Sequence, residues 1–232
     1  DLVNPRNGEI VGQEDAREIF DTIIHGAWLT GEPGTFFIDR ANEYNPVPKL
    51  GSYEATNPCG EQPLLPYDVC NLGSINLGKF VKEDARPGTG ADEGVDWDAL
   101  RNVTHLSTHF LDNVIDANVY PLQDIHDLAQ NIRRIGLGVM GLQNALYAKN
   151  IAFASDQAVD FNDEFMEAIA YYTYEASSDL AAERGSYPSY KGSKWDRGIL
   201  PQDSISLLEK ERGQDIEVPK GGRMDWDPVR EK

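Results

Sequence analysis

Asn57-Pro58-Cys59-Gly60-Glu61-Gln62-Pro63-Leu64-Leu65-Pro66-Tyr67, running through Asp68-Val69 into Cys70-Asn71-Leu72-Gly73-Ser74-Ile75-Asn76-Leu77, holds both cysteines of a 232-residue chain. Asn57, Cys59 and Glu61 place an amide, a thiol and a carboxylate at i, i+2 and i+4. In an extended segment such residues share one side, because successive side chains point to opposite faces. Pro58 disfavours helical backbone at Asn57 and has no N–H to give a sheet, while Gly60 permits a turn or a close approach. The expectation is a shaped loop that presents three polar groups together. A carboxylate beside a thiol in a dry pocket can act as general base toward a hydroxyl, the amide can orient that hydroxyl, and the thiol can carry redox or hydrogen-atom chemistry. Spacing alone leaves a plainer reading open: Asn-Pro and Cys-Gly are common turn dipeptides, and free cysteine is often a small buried hydrophobe.

Outward from this segment, helices and short strands alternate. Ala16, Ile19, Phe20, Ile23, Ile24 and Ala27 recur at helical spacing over residues 14–29, and Gly31 with Pro33 ends that helix. Residues 35–39 form a short apolar run of strand type. Residues 69–81 have strand character around Ser74-Ile75-Asn76-Leu77, which places Cys70 at or near a strand start. Residues 82–96 contain Pro87, glycines and acidic side chains and are expected to be an exposed connector. An amphipathic helix follows over 97–119, with Leu100, Val103, Leu106, Phe110, Leu111, Val114 and Ile115 on one stripe before Pro121. A second long helix spans 156–184, with Val159, Phe165, Ile169, Tyr172, Ala176 and Leu180 inward and Gly185 as its cap. Loops over 185–203 and 213–222 flank a short helix at 204–212. This alternation indicates an α/β fold.

Three patterns invite other functions. Gly136-Leu137-Gly138-Val139-Met140-Gly141 fits G-x-G-x-x-G, but Ile132-Arg133-Arg134-Ile135 makes a charged lead-in instead of a buried strand, so a dinucleotide site is not expected. His105 and His109 stand four apart on a helix without a third ligand at useful spacing, and are expected on a solvated face with Asp112 and Asp116. Tyr171-Tyr172-Thr173-Tyr174 are consecutive on a helix and point in different directions, so packing explains them better than a radical relay does.

Residues 54–67 together with Cys70-Asn71-Leu72-Gly73-Ser74-Ile75-Asn76-Leu77 closely resemble the active-site finger of ribonucleotide reductases, in the form of the adenosylcobalamin-dependent class. Similarity to that family extends, in the family's order, through Asp1-Leu2-Val3-Asn4-Pro5-Arg6, Phe37-Ile38-Asp39-Arg40, Arg133-Arg134-Ile135-Gly136-Leu137-Gly138-Val139-Met140-Gly141, Gly192-Ser193-Lys194-Trp195 and Gly198-Ile199-Leu200-Pro201. The resemblance implies a ten-stranded α/β barrel with the finger, about residues 52–70, inserted through its centre, of which this section supplies a part. It implies that Cys59 carries the thiyl radical that removes the 3′ hydrogen of a ribonucleotide. Glu61 then takes the 3′-hydroxyl proton, Asn57 hydrogen-bonds the ribose hydroxyls, and Cys70 is one member of the reducing dithiol. The implied cofactor is adenosylcobalamin. The implied partners are a ribonucleoside di- or triphosphate, a thioredoxin-like or tail-dithiol reductant, and a second copy in a homodimer. The second reducing cysteine lies upstream in the family and none precedes Cys59 here; the phosphate-binding loop is expected after Lys232 and the effector region before Asp1. The chain is therefore expected to be an internal section of a longer catalytic chain, inactive alone. Two alternatives are a non-catalytic or split-subunit section, and a reductase whose radical comes from a separate subunit.

Charge and composition bound the remaining classes. Lys plus Arg number 21 against 39 Asp plus Glu, a net charge of −18, which opposes binding to nucleic acid or an anionic membrane. No apolar run approaches the roughly 18 residues of a membrane span, and no secretory signal is evident. Two cysteines make no disulfide framework, which fits a reducing, cytoplasmic compartment.

Overall fold

The computed structural model describes residues 1–82, 93–216 and 222–232, in two compact units, Asp1–Arg40 and Ala41–Lys232. In the first unit, β1 (Leu2–Val3) pairs antiparallel with β2 (Ile10–Gly12). Helix α1 (Ala16–Thr30) follows, begun by the Asp15 carboxylate, which accepts the N–H groups of Arg17 and Glu18, and ended by Gly31 at φ 85°. Residues 35–37 form no strand, contrary to the expectation. An isolated apolar run has no partner for its backbone groups, and the chain instead enters α2 (Ile38–Glu43), which bridges into the second unit.

The second unit begins with a segment moulded by two asparagines. Asn42 accepts the Tyr53 N–H at 2.7 Å and donates to the Tyr53 carbonyl at 3.3 Å, while buried Asn45 accepts from Val47 and donates to Gly51. These bonds lead the chain over a small core of Val47, Tyr53, Leu65 and Ile132 into a hairpin of β3 (Ala55–Thr56) and β4 (Pro63–Leu64).

Next comes β5 (Asn71–Asn76), shorter than the strand expected over 69–81, because the Asn76 side chain accepts the Gly78 N–H and turns the chain into one 3-10 turn. The ends of the acidic connector close on each other through a Val81–Val95 bridge and the Lys82-to-Gly94 and Asp96-to-Phe80 hydrogen bonds. Its residues 83–92 lie outside the described residues. Helices α3 (Trp97–Ala117) and α4 (Gln123–Ile132) lead back to β6 (Ile135–Met140), which pairs parallel with β5 from Asn71 opposite Ile135 to Asn76 opposite Met140. Helix α5 (Leu142–Ala148) and the long α6 (Asp156–Arg184) follow, and α7 (Ser204–Arg212) and α8 (Asp227–Glu231) close the chain. The α/β class is as expected; among the described residues the strands form three separate pairs and no closed barrel.

The main core joins this parallel pair to α3, α5 and α6 through Ile75, Leu77, Leu100, Leu146, Phe161, Phe165 and Ile169. The inward faces differ from the expected stripes. Helix α3 buries Leu100, Thr104, Thr108, Leu111 and Ile115, and leaves Leu106 and Phe110 exposed. Thr104 and Thr108 can be buried because their hydroxyls donate to the carbonyls of Leu100 and Thr104, one turn back. On α6 the inward set includes Ala158, Phe161 and Ala168 beside Phe165, Ile169 and Ala176, whereas Val159 is exposed and Tyr172 and Leu180 are half-buried.

The histidines are also placed otherwise than expected. His105 contacts Glu175 at 2.9 Å and His109 contacts Arg184, within a polar seam between α3 and α6 that adds Arg101–Glu175 and Arg184–Asp112 pairs. Hydrogen bonding from Arg101 holds the Glu175 carboxyl below the usual carboxylate range. The tyrosines pack as expected, Tyr171 and Tyr174 edge-on to Trp226. Phe165 is fully buried against Trp97 and Phe161, with ring centroids at 5.2 and 4.8 Å. Phe165→Ala is expected to cost about 3–5 kcal/mol, read as a lowered urea midpoint; a loss below about 1 kcal/mol, within reach of an ordinary substitution, would show that this ring does not secure α6.

Candidate active site

The alternation of β5 and β6 separates two faces. Ile75, Leu137 and Val139 pack on the main core, and a side chain at Gly73 would meet Leu111 at 3.5 Å. Leu72, Ser74, Gly136 and Gly138 line the opposite face, with Cys70 and Arg134 just before the two strands. Together with Glu61, Gln62 and Pro63 from the hairpin they enclose an open pocket of about 430 Å³.

The glycines keep this face low. A Cβ at Gly136 would stand 2.3 Å from Leu72 Cδ2 and 3.4 Å from Cys70 Sγ, so the space that a side chain would take is filled by Leu72, with the thiol in contact beside it. The G-x-G-x-x-G string is thus itself a strand, and only its last glycine, Gly141 at φ 71°, marks the junction into α5.

The segment 57–61 is a hairpin tip, not an extended run. Gly60 at φ 83° donates its N–H to the Asn57 carbonyl at 3.0 Å, and Gln62 donates to Asn57 Oδ1 at 3.0 Å. The turn that Pro58 and Gly60 favour therefore overrides the alternation assumed for the three polar groups. Asn57 is pinned across the hairpin, Cys59 is exposed at the tip, and Glu61 on the returning limb reaches the pocket lining. Of the expected site residues, Glu61 and Cys70 line one cavity; Asn57 and Cys59 stand on the hairpin beside it. Both thiols are free.

Cys70 is half-buried. Burial pushes its thiol up to about 11; Arg134 nearby pulls the other way, and the carboxylates of Asp68 and Glu61 add to the rise. At neutral pH the group is accordingly a thiol and not a thiolate.

Asp68 and Arg134 are site residues that the motif reading left without a role. A turn over residues 65–68, with Tyr67 at φ 62°, buries Asp68, whose Oδ2 lies 2.8 Å from Arg134 Nη2. Desolvation raises the Asp68 carboxyl above its usual range, against the pull of Arg134. Tyr53 lies under the guanidinium, 5.8 Å from its ring centroid. The neighbouring Arg133 turns the other way. In left-handed backbone at the end of α4, it bonds Asp112 and Asp116 on α3 at 2.8 Å each. The adjacent pair Arg133-Arg134 was the available signal: consecutive side chains leave the backbone in different directions, here with Arg133 in the left-handed turn that ends α4, and do not share one task.

A family model described as "Ribonucleotide reductase, barrel domain" matches residues 4–232. The vitamin B12-dependent ribonucleoside-diphosphate reductase of Thermoplasma acidophilum is 45% identical over 89% of this chain, which spans 26% of that relative. The protein of the same description from Mycobacterium tuberculosis is 43% identical over 89% of the chain, spanning 30% of the relative. The ribonucleoside-diphosphate reductase subunit alpha of Chlamydia muridarum is 40% identical over 93% of the chain and 20% of its own length.

Proposed function

This chain belongs to the ribonucleotide reductase family through its barrel domain, and from that premise we propose that it carries the radical and reducing machinery of a longer enzyme that converts ribonucleoside diphosphates to deoxyribonucleotides. The observation that carries the reading is the meeting of Glu61 and Cys70, a base and a reducing thiol, in one pocket beside the hairpin that bears Cys59. The diphosphate follows the names of the relatives.

In this reading Cys59, as a radical, takes the 3′ hydrogen atom, Glu61 accepts the 3′-hydroxyl proton, and Asn57 hydrogen-bonds the ribose hydroxyls. The 2′-hydroxyl then leaves as water. Cys70 and a second thiol from outside residues 1–232 together give up two electrons and two protons, one proton to the departing water and one to C2′, and become a disulfide; Glu61 returns its proton to the 3′ oxygen, and Cys59 returns the 3′ hydrogen atom to carbon. A protonated Cys70 suits this role, since it supplies both a proton and an electron. The ten-stranded barrel, with residues 52–70 as a finger through its centre, is the architecture this reading requires of the assembled enzyme.

Adenosylcobalamin supplies a radical when bound, and the names of two relatives support it as the cofactor. The pocket of about 430 Å³ that Glu61 and Cys70 line is of nucleoside scale and does not enclose a corrin ring. A second reading, in which a separate subunit supplies the radical, has the likeness to a relative named subunit alpha in its favour. The assembled enzyme, assayed with a ribonucleoside diphosphate and a dithiol, is expected to form deoxyribonucleotide when adenosylcobalamin alone is added. Indifference to cobalamin together with dependence on a second protein would establish the other reading, and no product under either condition would refute reductase function.

A further inference from the structure

Beneath Cys70 lies an ion pair that the chemistry above leaves without a task. Asp68, its side chain 1% exposed, meets Arg134 Nη2 at 2.8 Å and accepts the Leu65 N–H at 3.4 Å. Arg134 is held from two sides, by the Asp68 carboxylate and by the Tyr53 side chain, while Asp68 also accepts from the Val69 backbone; Asp68 Oδ1 has no partner of its own. A buried pair of this kind seldom repays its desolvation in stability. Its position is more telling. Arg134 lines the pocket with Cys70 and Glu61, and Asp68 stands two residues before Cys70 in the chain. A guanidinium left uncompensated beside a half-buried sulfur would favour thiolate over thiol.

We propose that Asp68 is a positioning residue that holds Arg134 against the pocket wall and cancels its charge, so that Cys70 keeps its proton until it is oxidised. The benefit to turnover rests on Cys70 being the reducing thiol; the charge balance itself does not. Among the described residues, three charged groups act on Cys70: Arg134 before β6, Asp68 from the turn and Glu61 from the hairpin. Arg134 alone favours the thiolate, and the two carboxylates oppose it. The pair therefore makes a prediction of opposite signs that a purely structural role does not share.

The test follows the rate at which iodoacetamide labels Cys70 as pH is raised, in the enzyme carrying Cys59→Ser, with the modified peptide quantified by mass spectrometry. Asp68→Asn is expected to lower the midpoint from about 11. Labelling at neutral pH should then quicken by about tenfold for each unit of fall, because the thiolate is the nucleophile. Arg134→Gln is expected to raise the midpoint and slow labelling, and Asp68→Glu to restore the original profile. If both Asp68→Asn and Arg134→Gln quicken labelling alike, the pair merely holds the turn in place and the proposal fails; it fails equally if neither moves the midpoint. Full turnover by a Cys70→Ser enzyme would instead remove the reductant reading while leaving the labelling result intact.

Discussion

Cys59→Ser in the assembled enzyme is expected to abolish deoxyribonucleotide formation while leaving its unfolding free energy within about 0.5 kcal/mol of the original, the ordinary range for an exposed substitution. The two halves of this expectation come from different observations. Cys59 is exposed at the tip of the β3–β4 hairpin, and the turn beneath it is held by Gly60 and Gln62 bonding to Asn57, so the thiol contributes nothing to the fold. Chemistry, in contrast, tolerates no exchange. A serine hydroxyl keeps the shape but does not yield a hydrogen atom to a radical initiator as a thiol does. A thiyl radical also survives only where water is excluded, so the radical reading requires the remainder of the enzyme to cover this tip. Product measured by chromatography, with a urea titration beside it, decides the matter. Retained turnover would make this section non-catalytic, a folded part that serves the enzyme by packing alone.

The legible parts of the fold were those set by local chemistry. Helix α1 starts at Asp15 and stops at Gly31, and α6 stops at Gly185, because capping side chains and left-handed glycines act within one turn of themselves. The strand at Cys70 was legible too, since Ser74, Ile75 and Asn76 alternate as β5 requires. What escaped depends on partners distant in sequence. The seam of Arg101, His105 and Glu175 exists only because α6 lies against α3, so the histidine face looked solvated from its own helix. Apolar count likewise failed to choose the buried face of α3, because Thr104 and Thr108 satisfy their own hydroxyls and pack inward, leaving Leu106 and Phe110 outside.

The site was legible as a motif before it was legible as a geometry. Asn57, Cys59 and Glu61 were singled out by their types, yet their mutual placement was misjudged, since a proline and a glycine in five residues favour a turn more strongly than alternation favours an extended run. Cys70 and Arg134 could not be joined from sequence at all. Their meeting needs the parallel register that sets Asn71 opposite Ile135, across a crossover that includes α3 and α4. Gly136 then acquires a reason, the room that Cys70 and Leu72 occupy above it, which no dinucleotide-binding motif supplies.

Glu61→Gln bears on the proton transfer that accompanies 3′-hydrogen abstraction and is expected to slow turnover by about 10²–10⁴-fold, the usual contribution of a positioned general base. Glutamine matches glutamate in size and can still accept a hydrogen bond from a ribose hydroxyl, so KM should move little while kcat carries the loss. The residue is exposed on the returning limb of the hairpin and lines the pocket, so the exchange leaves the packing of β3 and β4 untouched. A structural role for Glu61 would lower stability and raise KM without touching the chemical step. Glu61 stands near Cys70 and helps to keep that thiol protonated, so the same variant should modestly quicken alkylation of Cys70 as the nearby negative charge is lost. Unchanged kcat with quickened labelling would leave Glu61 as an electrostatic neighbour of Cys70 and move the base elsewhere in the pocket.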